Sequence, residues 1–186
     1  MKENEMIFGI RAIIEAIKSD KQIDKIILKN DMQSELAKEL FNAIKGFSHI
    51  QVQRVPLERL NRYTHKNHQG AIAFVSQTTY QLVSDIVPTL YEEGKTPFFV
   101  VLDGVTDVRN FGAIARTCEC GGVDAIVIPV KGGASVNADA VKTSAGALHT
   151  LPVCKESNLG SALKYLKQCG IRIVVAPQAT PELRAR

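Results

Sequence analysis

The chain has 186 residues, 45% of them hydrophobic, enough for one large domain or two small ones with real apolar cores. No apolar run reaches the roughly eighteen residues that a membrane span needs, and Met1-Lys2-Glu3-Asn4-Glu5 is acidic where a secretory signal is basic, so a soluble, cytoplasmic protein with no membrane partner is expected. The net charge of +4 is a mild excess, not a nucleic-acid tail; residues 1–77 hold twelve Lys or Arg against nine Asp or Glu, the remainder eleven against ten, a bias toward phosphate contact in the first part.

Residues 7–17 place apolar side chains at helical spacing. Ile23 to Leu28 reads as a strand, Met32 to Ile44 as an amphipathic helix through Leu36, Leu40, Phe41 and Ile44, and Ile50 to Val55 alternates as a strand does. Pro56 opens a helical turn to Arg62, and a polar stretch, Tyr63 to Gln69, leads into the strand Gly70 to Val75. Residues 1–77 are therefore expected to form a compact α/β domain. Gln77 to Gln81 is short and polar, as in a linker, and a helix from Leu82 to Tyr91, weakened by Pro88, closes at Gly94; residues 78–96 are taken as linker and leading helix.

From residue 97 onward strand and helix alternate. Phe98 to Leu102 is a continuous apolar run, as in a strand buried on both faces. The loop Asp103 to Arg109 leads to Asn110, a good helix N-cap, and the helix Phe111 to Cys120 ends at Gly121-Gly122. Ala125 to Ile128 is the next strand, Asn137 caps a helix to about Ala147, Leu151 to Val153 is a short strand, Asn158 caps a helix to Cys169, and Ile171 to Val175 is the last strand. This rhythm predicts a parallel sheet with right-handed crossovers. The spacing of Cys118, Cys120, Cys154 and Cys169 matches neither a zinc site nor a redox pair, so reduced, mostly buried thiols are expected. His65 and His68 lie three apart in a polar loop, and no metal site is expected.

In open parallel sheets ligands bind beyond the carboxyl ends of the strands. Asp103 to Asn110 occupies such a place, yet the chain has neither a phosphate-loop signature nor G-x-G-x-x-G, which argues against an ordinary dinucleotide-binding oxidoreductase. On the helix that follows, Phe111, Ile114, Ala115 and Cys118 make the sheet-facing stripe. Arg116 lies off it, among the small neighbours Gly112, Ala113 and Cys120. A long cation over small residues has room for a ligand or a second chain; the alternatives, a solvated Arg116 and an Asn110 that only caps, stay open on spacing alone.

The run Asp103-Gly104-Val105-Thr106-Asp107, then Asn110, Gly112-Ala113, Arg116-Thr117 and Gly122-Val123, resembles the first motif of the SpoU (TrmH-like, SPOUT superfamily) RNA ribose 2′-O-methyltransferases. Val141 to Leu148 with Leu151-Pro152-Val153 resembles the family's next block, and His68-Gln69-Gly70 is typical of its first domain. The pattern is nearest the group that modifies a guanosine ribose of 23S ribosomal RNA. The resemblance implies a small ribosomal-protein-like RNA-binding domain followed by a Rossmann-like SPOUT domain over residues 97–186. It also implies S-adenosyl-L-methionine as cofactor, a homodimer when full length, and ribosomal RNA, alternatively tRNA, as partner. Asn110 and Arg116 match the residues assigned to the active site, Arg116 near the target ribose and often across the dimer interface. A guanidinium, with a pKa above roughly 12, rarely acts as a base; holding a phosphate or the developing ribose oxyanion suits it better, leaving a water or the substrate's phosphate as proton acceptor. Arg54, Arg59, Arg62, His65, Lys66 and His68 are candidate RNA contacts.

Family members continue past this end with a Gly-x-Glu-Gly-type and a Ser-Leu-Asn-Val-Ser-type motif that thread the knot and supply most of the donor pocket; neither motif is in this sequence. Only Ala176 and Pro177 correspond to the approach to the cofactor. The 186-residue chain is expected to bind the donor weakly and turn over little, and the rival reading is an RNA-binding module without catalysis.

Overall fold

A computed structural model of the chain describes residues 6–176. Its strands form two four-stranded sheets. The first holds β1 (Met6–Phe8), β2 (Ile23–Lys29), β3 (Gln51–Val55) and β4 (Ala71–Val75) in the order β1-β4-β2-β3, parallel only between β2 and β3. One face packs on α1 (Ile10–Lys18) and α2 (Glu35–Ile44), because Ile10, Ile13, Ile14 and Ile17 recur at i, i+3, i+4 and i+7 and meet Ile26, Leu28 and Leu40. Burying each such side chain contributes about 1.5–3 kcal/mol. Among the described residues the other face is covered only by the short helix α3 (Leu57–Asn61), through Leu60 on Ile27 and Ile72, which leaves Met6, Phe8 and Phe74 half-buried.

The second sheet is wholly parallel, in the order β5-β8-β7-β6: β5 (Tyr80–Gln81), β6 (Phe99–Val101), β7 (Ala125–Pro129) and β8 (Val153–Glu156). Helices cover both faces, as an all-parallel sheet requires. Ile126, Ile128 and Val153 point to α5 (Val108–Cys120) and α6 (Ala138–Thr143); Ala125, Val127 and Cys154 point to α4 (Val83–Glu92) and α7 (Leu159–Gln168). This is the mixed α/β architecture with a parallel sheet that the sequence predicts. Among the described residues no helix is long and apolar enough to cross a membrane.

Several local expectations change. Ile7 and Phe8 belong to β1, not to the first helix, because their backbone pairs with Ala73 and Ile72. Tyr80 and Gln81, read as linker, form β5 against β8, and Tyr80 is buried. Phe98 to Leu102 is not enclosed: among the described residues β6 lies at the sheet's edge with β7 as its one partner, so Phe99, Val100 and Val101 are half-buried and Phe98 is exposed. The helix after Asn137 stops at Thr143, since Ala145 and Gly146 adopt positive φ, and a single 3-10 turn (Ala147–His149) follows. The strand read at Leu151–Val153 is β8, two residues later. Ile171 to Val175 pairs with no strand among the described residues, and Val174 and Val175 are more than three-quarters exposed. The thiols are free, Cys118 and Cys154 buried, Cys169 half-buried and Cys120 exposed.

Candidate active site and RNA interface

The chain leaves the carboxyl end of β6 at Leu102, whose N–H still donates to Val127 (2.9 Å), and turns through Asp103-Gly104 into α5. Asn110 does not cap this helix. The cap is Asp107, whose carboxylate accepts from the backbone N–H of Asn110 at 2.7 Å, so the helix starts at Val108. Capping three residues upstream leaves the Asn110 carboxamide exposed and without a partner among the described residues. The signal in the sequence is the Asp107 carboxylate, three residues ahead of Asn110; an apolar stripe that starts at Phe111 makes Asn110 look like the cap.

Arg116 is exposed and also has no partner among the described residues. Glu119, the one acid of α5, accepts instead from the Thr150 hydroxyl at 2.8 Å. Six residues of helix separate Asn110 from Arg116, about 9 Å of rise and some 240° of turn. One chain therefore holds both on α5 but does not aim them at one point.

The two blocks that carry the resemblance meet in space. A Cβ on Gly112 would lie 2.6 Å from the Ala140 carbonyl oxygen and 2.8 Å from Thr143 Cβ, so α5 and α6 approach backbone to backbone. Ser144, fully buried, donates to the Val141 carbonyl (2.8 Å) and accepts from Leu148 N–H (3.3 Å), fixing the end of α6. The height of Arg116 over the sheet is thus set by a glycine–backbone contact.

In the first sheet's unit the candidate RNA contacts separate. Arg59 and Arg62 are exposed and without partners among the described residues, and Lys66 Nζ sits 5.3 Å from the Phe8 ring centroid. Tyr63 packs edge-on to Phe74 beside them. Arg54 lies toward the other face, over the Phe41 ring (5.1 Å) and donating to the Asn30 carbonyl (3.2 Å). His65 is exposed. His68 is buried: its Nδ1 accepts from Gly70 N–H (3.0 Å), which leaves Nε2 to donate to Asn61 Oδ1 (2.9 Å). In this geometry it cannot contact RNA through its ring nitrogens, which corrects the expectation of a direct contact. It shapes the turn in which Gly70, at φ +80°, passes so close to Lys29 and Met32 that a side chain would collide with them.

For a methyl donor, Ala176 is exposed and Pro177 lies outside the described residues. A cavity of about 480 Å³ lies near Asp85, Glu93, Val123, Asp124 and Pro152, where the strands begin rather than end. That end is opposite the one at which open parallel sheets bind ligands. Among the described residues no group of three or more His, Cys, Asp or Glu gathers to hold a metal.

Among the described residues, a parallel sheet thus carries an unpaired cation and carboxamide on the helix leaving its edge strand, and is joined to a unit that exposes Arg59, Arg62 and Lys66. Residues 97–185 match the model of the SpoU rRNA methylase family, and residues 6–81 match the substrate-binding domain of RNA 2′-O ribose methyltransferases. The chain is 30% identical over 173 residues to a putative TrmH family tRNA/rRNA methyltransferase, YacO, of Bacillus subtilis, covering 93% of this chain and 69% of that protein. It is 33% identical over 174 residues to the 23S rRNA (guanosine-2′-O-)-methyltransferase RlmB of Photorhabdus laumondii, covering 92% and 70%. Among solved structures, the SpoU methyltransferase AviRb of Streptomyces viridochromogenes, in complex with AdoMet, aligns at 19% identity and a TM-score of 0.40, with 88% of this chain and 59% of that one covered. The chain belongs to the SpoU (TrmH-like) family of RNA 2′-O-ribose methyltransferases.

Proposed function

We propose that the protein takes part in methylating the 2′-hydroxyl of a ribose, that of a guanosine in ribosomal RNA, with S-adenosyl-L-methionine as donor, as a homodimer in the cytoplasm. The observation that carries this reading is Arg116, an exposed guanidinium with no anion beside it among the described residues, on the motif-bearing helix. Its role is to hold the phosphate next to the target ribose and to stabilise negative charge growing on the 2′-oxygen. Because Asn110 and Arg116 face different sides of α5, a second copy supplies one of them to a common ribose. The guanosine and the ribosomal RNA rest on the relative from Photorhabdus laumondii. The four free thiols suit a reducing compartment. The domain limits 1–77, 78–96 and 97–186 belong to the same reading, the first as the RNA-binding part.

Two measurements test it. Arg59→Ala, Arg62→Ala and Lys66→Ala together should weaken RNA binding and flatten its salt dependence; an unchanged slope removes this surface from the interface. With labelled donor, label should enter ribosomal RNA at a ribose and vanish with Arg116→Ala. Label in tRNA instead changes the substrate, and label retained without Arg116 overturns its role.

A further inference from the structure

Where the two sheets meet, the protein buries charge. Only Ser76 to Thr79 connect β4 to β5, and beside them Asp24, at the start of β2, faces Lys155, at the end of β8. Both side chains are about 95% buried. Lys155 Nζ donates to Asp24 Oδ1 (2.5 Å) and to the Asp24 carbonyl (3.0 Å), and stands 4.4 Å from the centroid of the Tyr80 ring. The Tyr80 hydroxyl donates to the same carboxylate oxygen (2.7 Å) and accepts from Val136 N–H (3.3 Å), while Gln77 N–H donates to the Val136 carbonyl (2.9 Å). The His49 ring lies 5.9 Å from that of Tyr80. Every buried side-chain polar atom of the described residues has a partner. Val136 is one residue before Asn137, the cap of α6, and α6 sets the height of the helix that carries Arg116 through the Gly112 contact.

We propose that Asp24, Lys155 and Tyr80 form a latch that holds the first unit at one bearing relative to the Arg116 helix and so fixes how far along an RNA the methylated ribose lies from the bound surface. The bearing stands on the geometry alone; its use for RNA rests on the function proposed above. A buried pair breaks asymmetrically. Removing one partner strands an uncompensated charge, whereas removing both leaves neutral groups that pack. Here the stranded charge has an escape that needs no unfolding, because the units can swing apart about Ser76–Thr79 and let water in. Asp24, Lys155 and Tyr80 are thus positioning residues.

The test is the distance distribution between spin labels at the exposed native Cys120 and at Lys38→Cys on α2, with Cys169→Ser to silence the half-buried thiol. The parent should give one narrow distance. Asp24→Asn and Lys155→Met should each broaden it while hydrogen exchange within each sheet stays protected, and the double variant should return toward the parent. Singles that keep the parent's distribution, a parent that is already broad, or a double variant broader than both singles would overturn the latch. If a single variant does not fold, Tyr80→Phe decides: it removes one hydroxyl and should broaden the distance partially, and no change counts against the proposal. With RNA, the latch variants should lower the yield at the parent's site and spread methylation to neighbouring riboses at unchanged RNA affinity. A failed salt-slope test with the distances as expected faults the RNA reading and spares the latch.

Discussion

Lys155 and Arg116 are both cations in the second sheet's layer, and the fold treats them in opposite ways. Around Lys155 the ammonium is enclosed: a carboxylate, a carbonyl and a ring face surround a side chain only 4% exposed. Around Arg116 the neighbours are small, the one acid of the helix is turned away to Thr150, and the guanidinium meets solvent. A buried charge is tolerated only when paired, and once paired it has no interactions to offer a ligand. An exposed, unpaired charge contributes little to folding and keeps its full capacity to bind an anion. The difference separates the residue that orients the molecule from the residue that can meet substrate.

That contrast can be broken or sharpened by mutation and by pH. The largest effect expected is at Arg116. Arg116→Ala should cut methyl transfer by about 10²–10³, some 3–4 kcal/mol of transition-state stabilisation, while the free energy of unfolding from chemical denaturation changes by no more than about 0.5 kcal/mol; a comparable stability loss would mean that the side chain is structural after all. Next comes Gly112→Ala, which drives a methyl into the Ala140 carbonyl and should cost about 1–3 kcal/mol in chemical denaturation, together with a fall in activity because Arg116 is lifted.

Acid should act on the other member of the pair. Burial pushes the Asp24 carboxyl up, but the Lys155 charge and the hydrogen bonds from Lys155, Ser135 and Tyr80 outweigh it and hold the group below its ordinary value of 3.8. The folded carboxyl therefore keeps its charge to lower pH than the unfolded one. The stabilisation is complete at neutral pH and is lost as the pH falls below about 4 and through the folded value. A pH–stability profile of parent against the Asp24→Asn, Lys155→Met double variant should diverge there. The smallest effect is Asp107→Ala, which removes the cap of α5 for about 1 kcal/mol, read as a shift in the thermal midpoint. If Asn110 took over as cap, activity would fall more than stability.

Much of the fold was legible because period and burial coincide. The isoleucines of α1 and the doubly buried Ala125 to Ile128 announce their partners by spacing alone, since apolar area must be covered on one stripe or on both faces. Arg116 was legible too, because a cation off the apolar stripe among Gly112, Ala113 and Cys120 is a local fact. The places that misled are those where pairing, not pattern, decides. Ile7 and Phe8 suit a helix until β4 claims their backbone, and Tyr80 looks like linker until β8 does. Ile171 to Val175 has the composition of a strand and no ladder among the described residues.

What the residues determined by themselves were the element types, the parallel order of alternating strand and helix, and the motif that put Asn110 and Arg116 on one helix, all consequences of interactions within a few turns of chain. Only tertiary structure decided that His68 is spent on its own turn, that Arg54 is parted from Arg59 and Arg62, and that Asp24 finds Lys155. A partner 131 residues away leaves no period in the sequence, and burial, which decides whether a charge is paired or free, exists only once the two sheets have met.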